Sequence, residues 1–173
     1  PLGEIHTIYA EWLSRLSDAR TVVSSSLQKR FGGKILVHGA DTSAFDPKRY
    51  ANREARDALG LDHKLTYILF AGMVRPHKGV GDLLKALASI GTSSYRLLVV
   101  GPRTSTLERY LEDYPQLLVY RTTLPHDAMP LLLSASDIVA LPQRDEASAR
   151  AQVPGKVFEA MAMGLPVLLV SPE

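Results

Sequence analysis

The 173-residue chain contains no cysteine. That excludes disulfides and thiolate-ligated metals, and it is compatible with a cytosolic setting. It has no apolar run approaching the ~18 residues that a membrane span requires. Neither sign of charge prevails: 20 Lys and Arg against 18 Asp and Glu leave a formal +2. A nucleic-acid footprint is excluded on that balance, whereas a phosphate-bearing ligand or an anionic lipid surface is not. Internal repeats and low-complexity tracts are missing too. Nothing at the start resembles a signal peptide, and a chain opening on Pro1 is expected to be an excerpt of a longer protein. What remains is the balance of a globular domain, 46% hydrophobic and 22% charged, long enough to bury one substantial core.

Short apolar runs alternate with helical patterns, the signature of a parallel α/β sheet. Strands are expected at 65–71, 96–100, 117–120, 138–141 and 166–170. Their lack of internal alternation marks them as buried on both faces, as in a Rossmann-like doubly wound parallel sheet. Between them, Val80, Leu83, Leu84 and Leu87 keep the spacing of one helical face. Further helices are expected at 105–113, stopped by Pro115, at 127–135, and from Pro154 to Gly164. On the last of these, Val157, Phe158, Met161 and Leu165 are assigned to the core side. The first forty-six residues read differently: a helix over 5–19 carrying Trp12 on its core face, short strands at 21–24 and 34–37, and a short helix between them. The glycine- and proline-containing stretch 38–47 reads as a linker. A domain boundary is therefore expected between 46 and 47.

Ligands of open parallel sheets bind beyond the carboxyl ends of the strands. The first main strand ends at Gly72, and Met73-Val74-Arg75-Pro76-His77-Lys78-Gly79 follows. Arg75 and Lys78 thus stand at the mouth of a helix N-terminus, whose unpaired N–H groups and dipole already favour an anion. Cations there oppose the dipole by roughly 0.3–1 kcal/mol each, a cost that an arriving diphosphate would offset. Gly79 is read as leaving room for an oxyanion against the backbone. Glu159, opposite the apolar face of its helix, reads either as a solvated partner of Lys156 or as an acceptor for two ribose hydroxyls. His77, His38 and His126 read as bystanders, and Asp137 as a turn-former.

Gly72 through Gly79 resembles the G-x-x-R-x-x-K-G loop of retaining GT-B glycosyltransferases, particularly glycosyltransferase family 4. The stretch Pro154-Gly155-Lys156-Val157-Phe158-Glu159-Ala160-Met161-Ala162-Met163-Gly164-Leu165-Pro166-Val167 resembles that family's P-x-K-x-x-E-A-M-A-x-G-x-P-V signature. The segments 38–47 and 135–142 resemble its interdomain crossover and the strand before the donor loop. The resemblance implies that residues 1–46 end an acceptor-side N-terminal domain and that 47–173 form an incomplete C-terminal domain binding a nucleotide-sugar donor. Arg75 and Lys78 would hold the donor diphosphate and stabilise the leaving group, Glu159 would bind the ribose, and Gly72 would admit substrate to the backbone.

The resemblance further implies an NDP-sugar as substrate, no cofactor and no metal, and a glycan, lipid or small-molecule acceptor. It places such a hexosyltransferase-type enzyme in the cytoplasm, touching the inner membrane face through the missing N-terminal domain; the fragment alone is expected to be inactive. One departure concerns the sugar. Many relatives carry a glutamate eight residues before the ribose-binding one, where this chain has Ala151. Glu146 is the remaining candidate for a sugar contact, reaching the site only if its loop folds back; an exposed loop charge is the simpler reading. The rival functions are a GT-B-like epimerase or phosphorylase and a non-catalytic nucleotide-binding module.

Overall fold

The computed structural model describes residues 9, 11–91, 93–145 and 152–170. Near the start, residues 9 and 11–13 are helical and run into a 3-10 turn (Ser14–Leu16) that precedes a small β-α-β unit. Its strands β1 (Thr21–Val22) and β2 (Lys34–Ile35) pair in parallel, and α1 (Ser25–Phe31) connects them. Ser24 caps α1 by accepting from the Leu27 N–H at 3.2 Å, satisfying one of the helix's orphan donors. Both strands are shorter than the sequence pattern suggests, and Ile35, Leu36 and Val37 stay exposed.

The main body is a five-stranded sheet of β3 (Thr66–Ala71), β4 (Tyr95–Val100), β5 (Leu118–Arg121), β6 (Ile138–Leu141) and β7 (Val167–Leu169). Its order is β5-β4-β3-β6-β7, and every pairing is parallel. Alternate residues of β3 serve opposite layers. Tyr67 and Leu69 join Leu98, Val139, Leu132 and Ala160 on one face. Ile68 and Phe70 join Leu97, Val99, Leu84 and Leu107 on the other. The helices α3 (Val80–Ile90) and α4 (Ser105–Asp113) cover that second face, while α2 (Asn52–Leu59), α5 (Met129–Ser134) and α6 (Gly155–Ala162) cover the first. This is the expected doubly wound, Rossmann-like sheet. Fully burying each such Leu or Phe stabilises the fold by about 1.5–3 kcal/mol, so the sheet centre is the rigid frame for whatever its strand ends carry.

Five expectations need correction. Strand β7 is not buried on both faces: Leu168 is 45% and Leu169 51% exposed. Trp12 is not core: it is 51% exposed. On α6 the buried residue is Ala160, with Met163 buried just beyond, whereas Met161 is 63% exposed. The helix lays its small residue against the sheet, which rotates the assigned Val157–Met161 face away from the core. Asp137 is more than a turn-former. Its carboxylate accepts from the Tyr67 N–H at 2.7 Å and from the Arg56 guanidinium at 2.6 Å, and Arg56 is 4% exposed. Finally, α2, which carries Arg56, lies where no helix is expected from the sequence.

Candidate functional site

The chain leaves β3 outward through β4 and β5, then returns to β3's other side for β6 and β7. The carboxyl ends of β3 and β6 therefore flank the switch point, where open α/β sheets place ligands. Gly72 follows β3 with φ +147°, and a side chain there would meet open space. Val74 is buried and anchors the loop. Arg75 then leads into a 3-10 turn (Pro76–Lys78), and Gly79 caps α3 in the left-handed conformation at φ +70°. Any side chain on Gly79 would overlap the carbonyl of Pro142, just past β6. The close packing of two strand-end loops, backbone to backbone, is thus enough to require glycine at 79.

A cavity of about 260 Å³ opens at this point. Arg75, Lys78 and Lys156 line it together with Gly72 and Gln143, and among the described residues no carboxylate does. Lys78 donates from Nζ to Gln143 Oε1 at 2.8 Å, and Arg75 donates from Nε to the Met73 sulfur at 3.1 Å. Partial burial holds the Lys78 amine below the usual lysine range, and the charges of Arg75 and Lys156 add to that effect. The cations therefore repel one another across a space that has the chemistry of an anion site. The loop after β6 is fastened to the same place. The Arg144 N–H reaches the His77 carbonyl at 3.0 Å, and its guanidinium grips Asp82 with contacts of 2.6 and 2.9 Å. The hydrogen bond from Arg144 holds the Asp82 carboxyl below the usual carboxylate range.

A second cavity of about 230 Å³ lies beside the first, over the ends of β3 and β4. Glu159 and Lys156 line it from α6, with Gly101, Thr123 and His126 opposite. Glu159 is half-buried, and among the described residues its carboxylate has no hydrogen-bond or ion-pair partner, Lys156 included. Gly101 packs directly on the Gly72 backbone. His126 contributes to the wall and stacks obliquely on Phe45, with ring centroids 5.8 Å apart. Ala71, Gly72 and Lys156 belong to both cavities, so the two form one continuous cleft.

Of the residues expected at the site, Gly72, Arg75 and Lys78 come together in one cavity and Glu159 in its neighbour. Gly79 lines neither, and Glu146, like Ala151, lies outside the described residues. Sequence reasoning missed Lys156. Its position was visible within the quoted signature, but spacing three from Glu159 gave it an ordinary helical partner. Among the described residues no group of three His, Asp or Glu is placed to hold a metal ion, and no helix is long and apolar enough to cross a membrane.

Residues 66–171 match the family model for Glycosyl transferases group 1. The D-inositol 3-phosphate glycosyltransferase of Rhodococcus opacus strain B4 is 32% identical, over 89% of this chain and 37% of that protein. A GDP-mannose-dependent monoacylated alpha-(1-6)-phosphatidylinositol monomannoside mannosyltransferase of Corynebacterium glutamicum is 29% identical, over 87% of this chain and 44% of its own length. Among solved structures, Anabaena HepE in complex with UDP and glucose is similar in fold at a TM-score of 0.67. That likeness has 22% identity and covers 90% of this chain and 45% of HepE. The chain thus spans less than half the length of each of these proteins.

Proposed function

The chain belongs to the group 1 glycosyl transferases, and from that premise we propose that it is the donor-binding portion of an enzyme using a nucleoside-diphosphate sugar. The observation that carries this reading is the cleft itself. Among the described residues, three cations without a carboxylate surround one half, and an unpartnered carboxylate waits in the other. A nucleoside diphosphate has the complementary order of groups, with an anionic diphosphate at one end and a vicinal diol beside it. Arg75 and Lys78 bind the diphosphate, and Glu159 accepts from the ribose hydroxyls. Gly72, lacking a side chain, lets the donor lie against the strand end.

In the proposed reaction the bond between the anomeric carbon and the diphosphate oxygen breaks, and the electron pair leaves with the nucleotide. The acceptor oxygen bonds to that carbon and releases its proton. Arg75 and Lys78 stabilise the charge growing on the leaving diphosphate, the role that a metal would otherwise fill, so no metal is invoked. The likeness of 72–79 and 154–167 to retaining enzymes supports retention at the anomeric carbon. Residues 1–46 are assigned to the end of an acceptor-side domain and 47–173 to the donor domain. The Corynebacterium relative is named for a phosphatidylinositol-based acceptor and the Rhodococcus relative for an inositol phosphate, which supports an acceptor of lipid or polyol type; the proposal places the parent in the cytoplasm at the inner membrane face.

Calorimetric titration of this chain with UDP, GDP, ADP and dTDP tests the reading, beside Lys78→Ala and Glu159→Ala. One nucleotide binds preferentially, and each substitution weakens it by about ten- to a hundredfold, the worth of one charge-assisted hydrogen bond. If no nucleotide binds either this chain or its full-length parent, the donor-site reading fails and a non-catalytic module of the same fold takes its place.

A further inference from the structure

The two halves of the cleft meet at a side chain that the donor reading leaves without a task. Lys156 lines both cavities, while Glu159 faces only one and Arg75 and Lys78 only the other. It stands on α6 one turn before Glu159, is half-buried, and has no ion-pair or hydrogen-bond partner among the described residues. A half-buried, unpartnered lysine facing two other cations is an electrostatic cost unless an anion comes between them.

Connectivity of the ligand then assigns the positions. In a nucleoside diphosphate the α-phosphate is esterified to the ribose and the β-phosphate follows. If the ribose lies at Glu159 and the terminal phosphate at Arg75 and Lys78, the phosphate between them must cross the wall that the cavities share. That wall consists of Ala71, Gly72 and Lys156. Gly72 presents only backbone with open space before it, so among the described residues Lys156 is the sole charged group at the crossing. We propose that Lys156 is the α-phosphate residue of this site, reading the nucleotide's inner phosphate while Arg75 and Lys78 hold the outer one.

The inference rests on the donor-site reading, and the test separates the two. The nucleoside diphosphate that binds best is titrated into the wild-type chain, Lys156→Met, Lys156→Arg and Lys78→Met, with circular dichroism confirming the fold of each. Phosphorus NMR is recorded on every bound complex. Lys156→Met weakens binding by about ten- to a hundredfold, Lys156→Arg restores most of it, and the α-phosphorus resonance of the bound nucleotide moves more than the β. Lys78→Met gives the opposite pattern, moving β more than α. Unchanged affinity in Lys156→Met beside a weakened Lys78→Met overturns the inference and leaves the donor site standing. So does a β-dominated shift in Lys156→Met. A folded Lys156→Met that Lys156→Arg does not rescue overturns it as well, whereas a wild-type chain and parent that bind no nucleotide overturn the donor site itself.

Discussion

Gly72 and Gly79 stand at the two ends of one loop, and different constraints hold them. Both have positive φ, a conformation that costs a side-chain-bearing residue roughly 1–3 kcal/mol. Gly79 has the further constraint of the Pro142 carbonyl lying where its Cβ would be, while Gly72 faces the cleft. Gly79→Ala is therefore expected to lower the thermal midpoint more than Gly72→Ala, whereas Gly72→Ala is expected to hinder nucleotide entry directly. Melting curves and titrations of the two variants check this; equal midpoints would show that the Pro142 contact yields without cost. Lys78 supports a pH prediction. Its amine is held below the ordinary lysine range by partial burial and by neighbouring cations. Binding a diphosphate favours the charged form, so the free protein's depressed pKa is where affinity begins to be lost as pH rises. Affinity should therefore decline on the alkaline side earlier than an ordinary lysine allows, and proton uptake should accompany binding there. Lys78→Arg, which stays charged, should flatten that decline; a profile identical to wild type would move the titration to another group.

At the scale of elements, the strands were easy to read and some helices were not, for physical reasons. β3 and β4 are buried on both faces, so their sequences are continuous apolar runs that stand out against their surroundings. α2 is Asn-Arg-Glu-Ala-Arg-Asp-Ala-Leu, and its two buried positions are Ala55 and Arg56. When a charged residue faces the core, apolar periodicity has nothing to display. α6 was placed correctly but rotated wrongly, because its closest contact is made by Ala160 rather than by a large side chain. That Arg75 and Lys78 line one cavity was legible as two cations after a strand end; Lys156 was hidden because a Lys and a Glu three apart on a helix ordinarily pair. Arg56 carries a prediction of its own. It donates to the carbonyls of Ala135, His63 and Leu65 at 3.0, 3.2 and 3.0 Å and pairs with Asp137. It thus ties α2 to the approaches of β3 and β6, at the strand ends remote from the cleft. Arg56→Met leaves these acceptors and the carboxylate unpaired, and removing one partner of a buried pair costs about 3 kcal/mol. For a chain of this length that is a fall of roughly 6–12 °C in the thermal midpoint. Nucleotide affinity of the folded variant should stay within about twofold of wild type, since nothing in the clamp reaches the cleft; a tenfold loss would show that the strand ends communicate.

For the whole molecule, the question is how far a cleft of this kind can go by itself. On the proposed reading its groups complement a nucleoside diphosphate from the terminal phosphate to the ribose, and the residues that line it come from the five-stranded sheet and its connections. An acceptor hydroxyl must in addition be held within about 3–3.5 Å of the anomeric carbon, and that positioning supplies up to roughly 7–11 kcal/mol of an enzyme's barrier reduction. The chain spans 37% of its Rhodococcus relative, and the proposal gives the acceptor-side role to a separate domain that residues 1–46 would end. Binding and transfer should therefore separate. This chain should bind the preferred nucleotide with an affinity that falls as salt screens its three cations and that is insensitive to EDTA. Given the matching NDP-sugar, it should release nucleotide no faster than the Lys78→Ala variant does. The full-length parent, offered lipid and polyol acceptors, should release nucleotide in step with glycosylated product. A coupled assay for released nucleotide, run on both proteins, decides the matter. Acceptor-dependent turnover by the 173-residue chain would place the acceptor site within these residues, while an EDTA-sensitive affinity would mean that the cations share the diphosphate with a metal.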